Sequence, residues 1–60
     1  MAWFRKRKTY LVHYMVHGMI RIDRRFAVKA QDIAGALRKC AEREVYPISL
    51  IDWEILEESD

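Results

Sequence analysis

The sequence predicts one α+β domain of ββαβ order, a three-stranded antiparallel or mixed sheet of order 2-1-3 with a single helix on one face. Three observations predict it. Two β-rich stretches of two-residue alternation flank His17-Gly18, a stretch of helical period runs over 32–44, and a third alternating stretch follows Pro47.

The first strand is read over Thr9 to Val16, Thr-Tyr-Leu-Val-His-Tyr-Met-Val, rich in aromatic and β-branched residues. Tyr10, Val12, Tyr14 and Val16 are all apolar, and Leu11 and Met15 join Thr9 and His13 on the other face. A strand apolar on both faces suits the centre of a sheet. The second strand runs from Ile20 to Ala30. Ile20, Ile22, Phe26 and Val28 share one face, and Arg21, Asp23, Arg25 and Lys29 the other. Arg24 falls on the apolar face, which predicts either a spot the helix leaves uncovered or a bulge near Asp23-Arg24-Arg25.

Gly18 can take a positive φ without steric cost, so a hairpin joins the two strands. A two-residue loop would set Met15, His13 and Leu11 beside Ile20, Ile22 and Arg24. A three-residue loop, His17-Gly18-Met19, would set Val16, Tyr14, Val12 and Tyr10 beside Ile20, Ile22, Arg24 and Phe26. A one-residue slip exchanges the faces. The second register is favoured because it gathers the larger apolar set.

Over Asp32 to Glu44, Ile33, Ala36, Leu37, Cys40 and Ala41 recur at helical spacing. Asp32 suits the N-cap, where its carboxylate meets unpaired N–H groups. Gly35 costs about 1 kcal/mol against alanine in a helix; a loosely tuned surface position explains it more simply than a close backbone approach. The third strand spans Ile48 to Leu56. Ile51, Trp53 and Ile55 share a face opposite Leu50, Asp52, Glu54 and Leu56, and 57–60 is an acidic tail. A right-handed crossover places this strand beside the first.

Sixty residues bury only about 60% of the surface the unfolded chain exposes. Small domains compensate with disulfides, a metal or self-association. One cysteine excludes an internal disulfide, and Cys40, His13 and His17 are too few for a four-ligand zinc site. Self-association remains, and a homodimer through the open sheet face or an edge strand is the expectation, with Trp3, Leu11, His13, Met15, Leu50 and Leu56 as interface candidates. No apolar run approaches the ~20 residues that span a bilayer. Residues 1–8 turn from apolar to basic, the reverse of a secretory signal, so a cytoplasmic location and no membrane partner are expected.

Charge is lopsided within a net of +2: the basic residues crowd into the first half and the acidic residues into the second. The basic N-terminal arm over 1–8, with Arg5, Lys6, Arg7 and Lys8 beside Trp3 and Phe4, has the makings of a phosphate-neutralising, base-stacking segment. Arg21, Arg25 and Lys29 form a second basic ridge. The acidic third strand would come close to the arm and offset it, and charges on an edge strand also simply discourage aggregation. Nucleic-acid binding is therefore the alternative reading.

Catalytic chemistry finds no support. His13 and His17 stand about 13 Å apart along a strand and cannot share an ion. Cys40, on the helix's apolar stripe, behaves as a small hydrophobe. Asp52 and Glu54 share a face but lack the cleft that a carboxylate pair needs. No P-loop, GxGxxG or CxxC motif occurs. No enzyme activity and no cofactor are expected. In size and topology the chain resembles the small inhibitors that phages make against host enzymes, such as the dimeric uracil-DNA glycosylase inhibitors. No residue motif carries that resemblance. It implies a host-directed binding protein, and the leading expectation is a non-enzymatic protein-binding module acting as an adaptor or inhibitor.

Overall fold

β1 (Arg7–His17) runs up the middle of a three-stranded sheet in the computed structural model, which describes residues 7–59. β2 (Arg21–Ala30) and β3 (Ile48–Ser59) flank it, each antiparallel to β1, in the order β2-β1-β3. α1 (Ile33–Glu42) crosses between them and rests on β2 and β1. This is the ββαβ fold with the expected strand order. The doubly apolar strand is the central one, with a neighbouring strand along each of its edges.

The core follows from the face of β1 that meets the helix. Tyr10, Val12, Tyr14 and Val16 are buried, together with Ala30, Ala36 and Cys40. Phe26, Val28, Ile33, Leu37 and Ile48 pack around them. Ala41 lies exposed at the end of the helical stripe. The helix stops at Glu42 rather than Glu44, where Arg43 N donates to Cys40 O and Glu44 N to Ala41 O, tightening the last turn.

The hairpin register differs from both sequence readings. Val16, Tyr14, Val12 and Tyr10 stand opposite Ile22, Arg24, Phe26 and Val28, and the loop is Gly18-Met19-Ile20. Against the favoured reading β2 is slid by two residues. A slide of two keeps every side chain on its face, so the core set agrees although each pairing differs. Ile20 leaves the strand for the loop. Gly18 has no positive φ. Its small size serves close packing instead, since a Cβ there would lie 2.9 Å from the Tyr46 ring.

Arg24 needs no bulge, since the β1–β2 ladder is regular. It projects on the helix side, opposite Tyr14, and reaches Glu44 just past the helix, Nε to Oε2 3.4 Å. The irregularities lie in β3, whose register slips twice so that Ile51 and Leu56 stand outside the pairing. Each bulge inserts one residue and reverses the alternation downstream. The bulge at Ile51 puts Leu50 and Asp52 on opposite faces, so Leu50 shares the face of Tyr14, not the open face that strict alternation gives it, and Leu56 takes a bulge position. Glu57 and Glu58 are no tail: β3 continues to Ser59, with Lys8 opposite Glu58 and Arg7 opposite Ser59. Arg7 and Lys8 likewise belong to β1 rather than to an arm.

At the helix start, Asp32 has extended backbone and its Oδ1 accepts from Gly35 N at 2.8 Å. Gly35 is more crowded than a plain surface position, as a Cβ there would meet Asp32 Oδ1 at 3.3 Å. Asp32→Ala should lower stability by about 1 kcal/mol, measured by urea titration, because it strands a helix-terminal N–H. An unchanged midpoint would show that water replaces the cap without loss.

Candidate functional site

Two surfaces remain after the core is accounted for. The first is at the hairpin end of the molecule. The Gly18-Met19-Ile20 loop and the segment after α1 meet there, held by the Tyr46 ring on Gly18 and by His17 N donating to Pro47 O at 2.8 Å. Met19 is 95% exposed, Val45 92% and Ile20 77%, with Ile22 and Tyr46 about half exposed beside them. Together with Val16, Arg24 and Glu44 they line an open groove of about 340 Å³. Five large apolar side chains at one end of a small domain are more than scattered surface residues, and such patches mark interaction sites.

One wall of this groove is polar and fixed. Tyr14 Oη donates to Glu44 Oε2 at 2.7 Å, and Arg24 holds the same carboxylate oxygen. Burial, the hydrogen bond to Glu44 and the charge of Glu44 push the Tyr14 hydroxyl from its ordinary 10.0 up to about 12. Tyr14 is thus a neutral donor at any physiological pH, and it orients Glu44 at the groove's rim. Arg43 turns away, its guanidinium 3.7 Å from the centre of the Phe26 ring.

Sequence reasoning misses this end, since alternation places Ile20 in a strand and leaves Val45-Tyr46 in no element. A signal is nevertheless present: two apolar pairs, Met19-Ile20 and Val45-Tyr46, fall in connections where no helix or strand could bury them.

The second surface is the sheet face opposite α1. It carries Leu11, His13 and Met15 along β1, all half-buried. His13 Nε2 lies 2.7 Å from Asp23 Oδ2, which holds the Asp23 carboxyl below its usual range. His17 Nε2 lies 2.7 Å from Ser49 Oγ. Arg21, Arg25 and Lys29 do share this face, along β2, but Asp23 stands among them. Asp52, Glu54 and Glu57 face them across β1. The face is therefore more polar than expected, having lost Leu50 to the helix side. There Leu50, Trp53 and Ile55 are each about 40% exposed, because α1 covers β2 and β1. Tyr10 meets Trp53 edge-on, ring centres 5.6 Å apart.

Trp3, Arg5 and Lys6 lie outside the described residues. His13 and His17 each engage a different neighbour, Asp23 and Ser49. Among the described residues no three of His, Cys, Asp or Glu cluster to hold a metal ion. Cys40 is buried in the core, and burial pushes its thiol up from the ordinary 9.0. That is the opposite of what a thiolate nucleophile needs. No described helix is long and apolar enough to cross a membrane. No protein-family model matches the chain, no curated protein is significantly similar to it, and no solved structure significantly matches it.

Proposed function

We propose that the chain is a non-enzymatic protein-binding module, an adaptor or an inhibitor, whose apolar end grips a hydrophobic segment of a partner protein. The observation that carries this reading is the groove of Met19, Ile20, Ile22, Val45 and Tyr46, rimmed by the Arg24–Glu44 pair. An apolar centre with a polar, hydrogen-bonded rim is the anatomy of protein interfaces. The groove is open, and its one carboxylate, Glu44, is already engaged by Tyr14 and Arg24, so binding rather than chemistry suits it.

Nucleic acid is the less favoured partner. Asp23 interrupts the β2 ridge, Lys8 stands opposite Glu58, and acidic β3 residues share the ridge's face. Such a mixed surface lacks the one-signed stripe that neutralises a phosphate backbone.

The test compares wild type with Ile20→Asp and Val45→Asp. Both positions are so exposed that stability should stay within about 0.5 kcal/mol. A partner captured by the wild type, then purified and titrated, should lose at least tenfold in affinity to either variant. Equal affinity for wild type and both variants would overturn the reading. Salt-sensitive binding of short DNA that Ile20→Asp leaves intact would replace it with the nucleic-acid reading.

A further inference from the structure

The charges on the open sheet face are arranged by row as well as by strand. Thr9 lies between Lys29 on β2 and Glu57 on β3, and His13 lies between Arg25 on β2 and Asp52 on β3. In both rows the β2 residue is a cation and the β3 residue an anion. Between them Leu11 lies beside Ala27 and Glu54, and beyond His13 Met15 lies beside Asp23 and Ser49. The face thus has a spine of Leu11 and Met15 on either side of His13, and two rows that run from a cation on β2 to an anion on β3, with Asp23 the one acid on the β2 side.

We propose that this face is a self-docking surface, on which a second copy of the chain stacks about a twofold axis parallel to β1, setting Arg25 of each copy against Asp52 of the other. The geometry of stacked sheets selects that axis. A twofold axis parallel to β1 lays β2 over the second copy's β3 and keeps the rows level. Arg25 then meets Asp52 and Lys29 meets Glu57, twice each. A twofold axis across the strands at the His13 row would instead lay β2 over β2, bringing Arg25 against Arg25. Charge complementarity of this kind fixes orientation more than it adds affinity.

The distances suit it. Stacked sheets lie about 10 Å apart, a gap that an arginine and an aspartate span together. Aligned sheets pack with their strands turned by about 30°, so the match is closest at the central row, that of His13, Arg25 and Asp52. A shallow depression of about 150 Å³ lies at this row, lined by Leu11, His13, Arg25, Asp52, Trp53 and Glu54, with room for side chains from above. Asp52 Oδ1 accepts from Trp53 N at 2.8 Å, which steadies the carboxylate at the bulge. His13 meets its own copy on the axis, its ring held towards β2 by the hydrogen bond to Asp23.

Coverage also fits a second copy. The molecule is long and narrow, 47 × 18 × 12 Å in extent, and the open sheet face runs along it. The spine of Leu11 and Met15 would become fully covered, while the ion pairs stay at the hydrated border, the usual division between interface core and rim. The apolar hairpin end lies outside this contact and stays open to its partner.

A mixing experiment tests the arrangement. Arg25→Glu sets two carboxylates against each other in both halves of its own dimer, and Asp52→Arg sets two guanidinium groups against each other. Each variant alone should self-associate at least tenfold more weakly than wild type by sedimentation equilibrium. An equimolar mixture should recover a heterodimer, in which the two charge reversals meet as a pair of opposite sign and the other pair is the native one. Where a central-row variant fails to fold by circular dichroism, Lys29→Glu and Glu57→Lys are mixed in the same way. A monomeric wild type at tens of micromolar, single variants that dimerise as before, or a mixture that stays monomeric would each overturn the proposal. Ile20→Asp should dimerise like wild type, so failure of this proposal and failure of the binding-groove reading are separate results.

Discussion

Replacing Tyr14 by alanine is expected to remove most of the stability of the domain. The ring is 1% exposed and is among the largest fully buried side chains of the described residues. It sits on the central strand between Arg24 and Leu50, so every strand of the sheet borders it. Removing a buried aromatic ring costs about 3–5 kcal/mol. A domain of this length has about 3–9 kcal/mol in total. The loss also strands Glu44, whose carboxylate would keep only Arg24 from its present pair of partners. Tyr14→Phe retains the ring and removes one hydrogen bond to a charged acceptor, about 1.5–3 kcal/mol at most. Urea titration followed by far-ultraviolet circular dichroism measures both. An alanine variant with a cooperative transition close to that of wild type would show that the sheet closes over the cavity.

The position of Tyr14 explains what can be read from the sequence. Alternation along Tyr10, Val12, Tyr14 and Val16 names the buried face without knowledge of any neighbour, because side-chain direction in a strand has period two. The same parity makes the face tolerant of error: β2 slides by two residues and Ile22, Phe26 and Val28 stay on the helix side. The helix stripe of Ile33, Ala36, Leu37 and Cys40 is legible for a similar reason, as is the cap at Asp32. Order 2-1-3 follows from the handedness of the crossover and from the apolar character of both faces of β1.

β3 shows the limit of that reasoning. Its alternation, followed strictly back from Ile55 and Trp53, puts Leu50 with Asp52 on the open face. The structure breaks the alternation at Ile51 and again at Leu56. A bulge answers to the fit between two strands and the twist of the sheet, neither of which is local to β3. The consequence for the surface is large. Leu50 moves to the helix side, the open face becomes a charged surface with a narrow apolar spine, and the exposed apolar groups gather elsewhere. The hairpin end is hidden for a related reason, since it forms only when loops 18–20 and 43–47, distant in sequence, are brought together by the ring of Tyr46 on Gly18. A glycine that reads as a source of backbone freedom is instead a site of close packing.

Stability should fall steeply between pH 10 and 12, and Tyr14→Phe should remove much of that fall. The Tyr14 hydroxyl is pushed up to about 12 by desolvation first, then by its hydrogen bond to Glu44 and the negative charge there; Arg43 opposes the shift. The fold therefore holds the neutral phenol, and the folded chain keeps its proton at pH values where the unfolded chain has released it. The contribution is complete below pH 10, where tyrosine in the unfolded chain is still protonated. It disappears as pH rises through 10 towards 12. A shift of two units at about 1.4 kcal/mol each is roughly 3 kcal/mol, a large part of what so small a domain possesses. Cys40 acts in the same direction, since burial raises its thiol above the ordinary 9.0, so a smaller decline remains when Tyr14 is gone. The measurement is the urea midpoint of wild type and Tyr14→Phe across pH 8 to 12. The variant begins less stable, having lost the bond to Glu44, and the two curves should converge as the wild-type phenol ionises. Parallel curves would mean that Tyr14 ionises in the fold as readily as in water, and that the contact with Glu44 does not hold its proton.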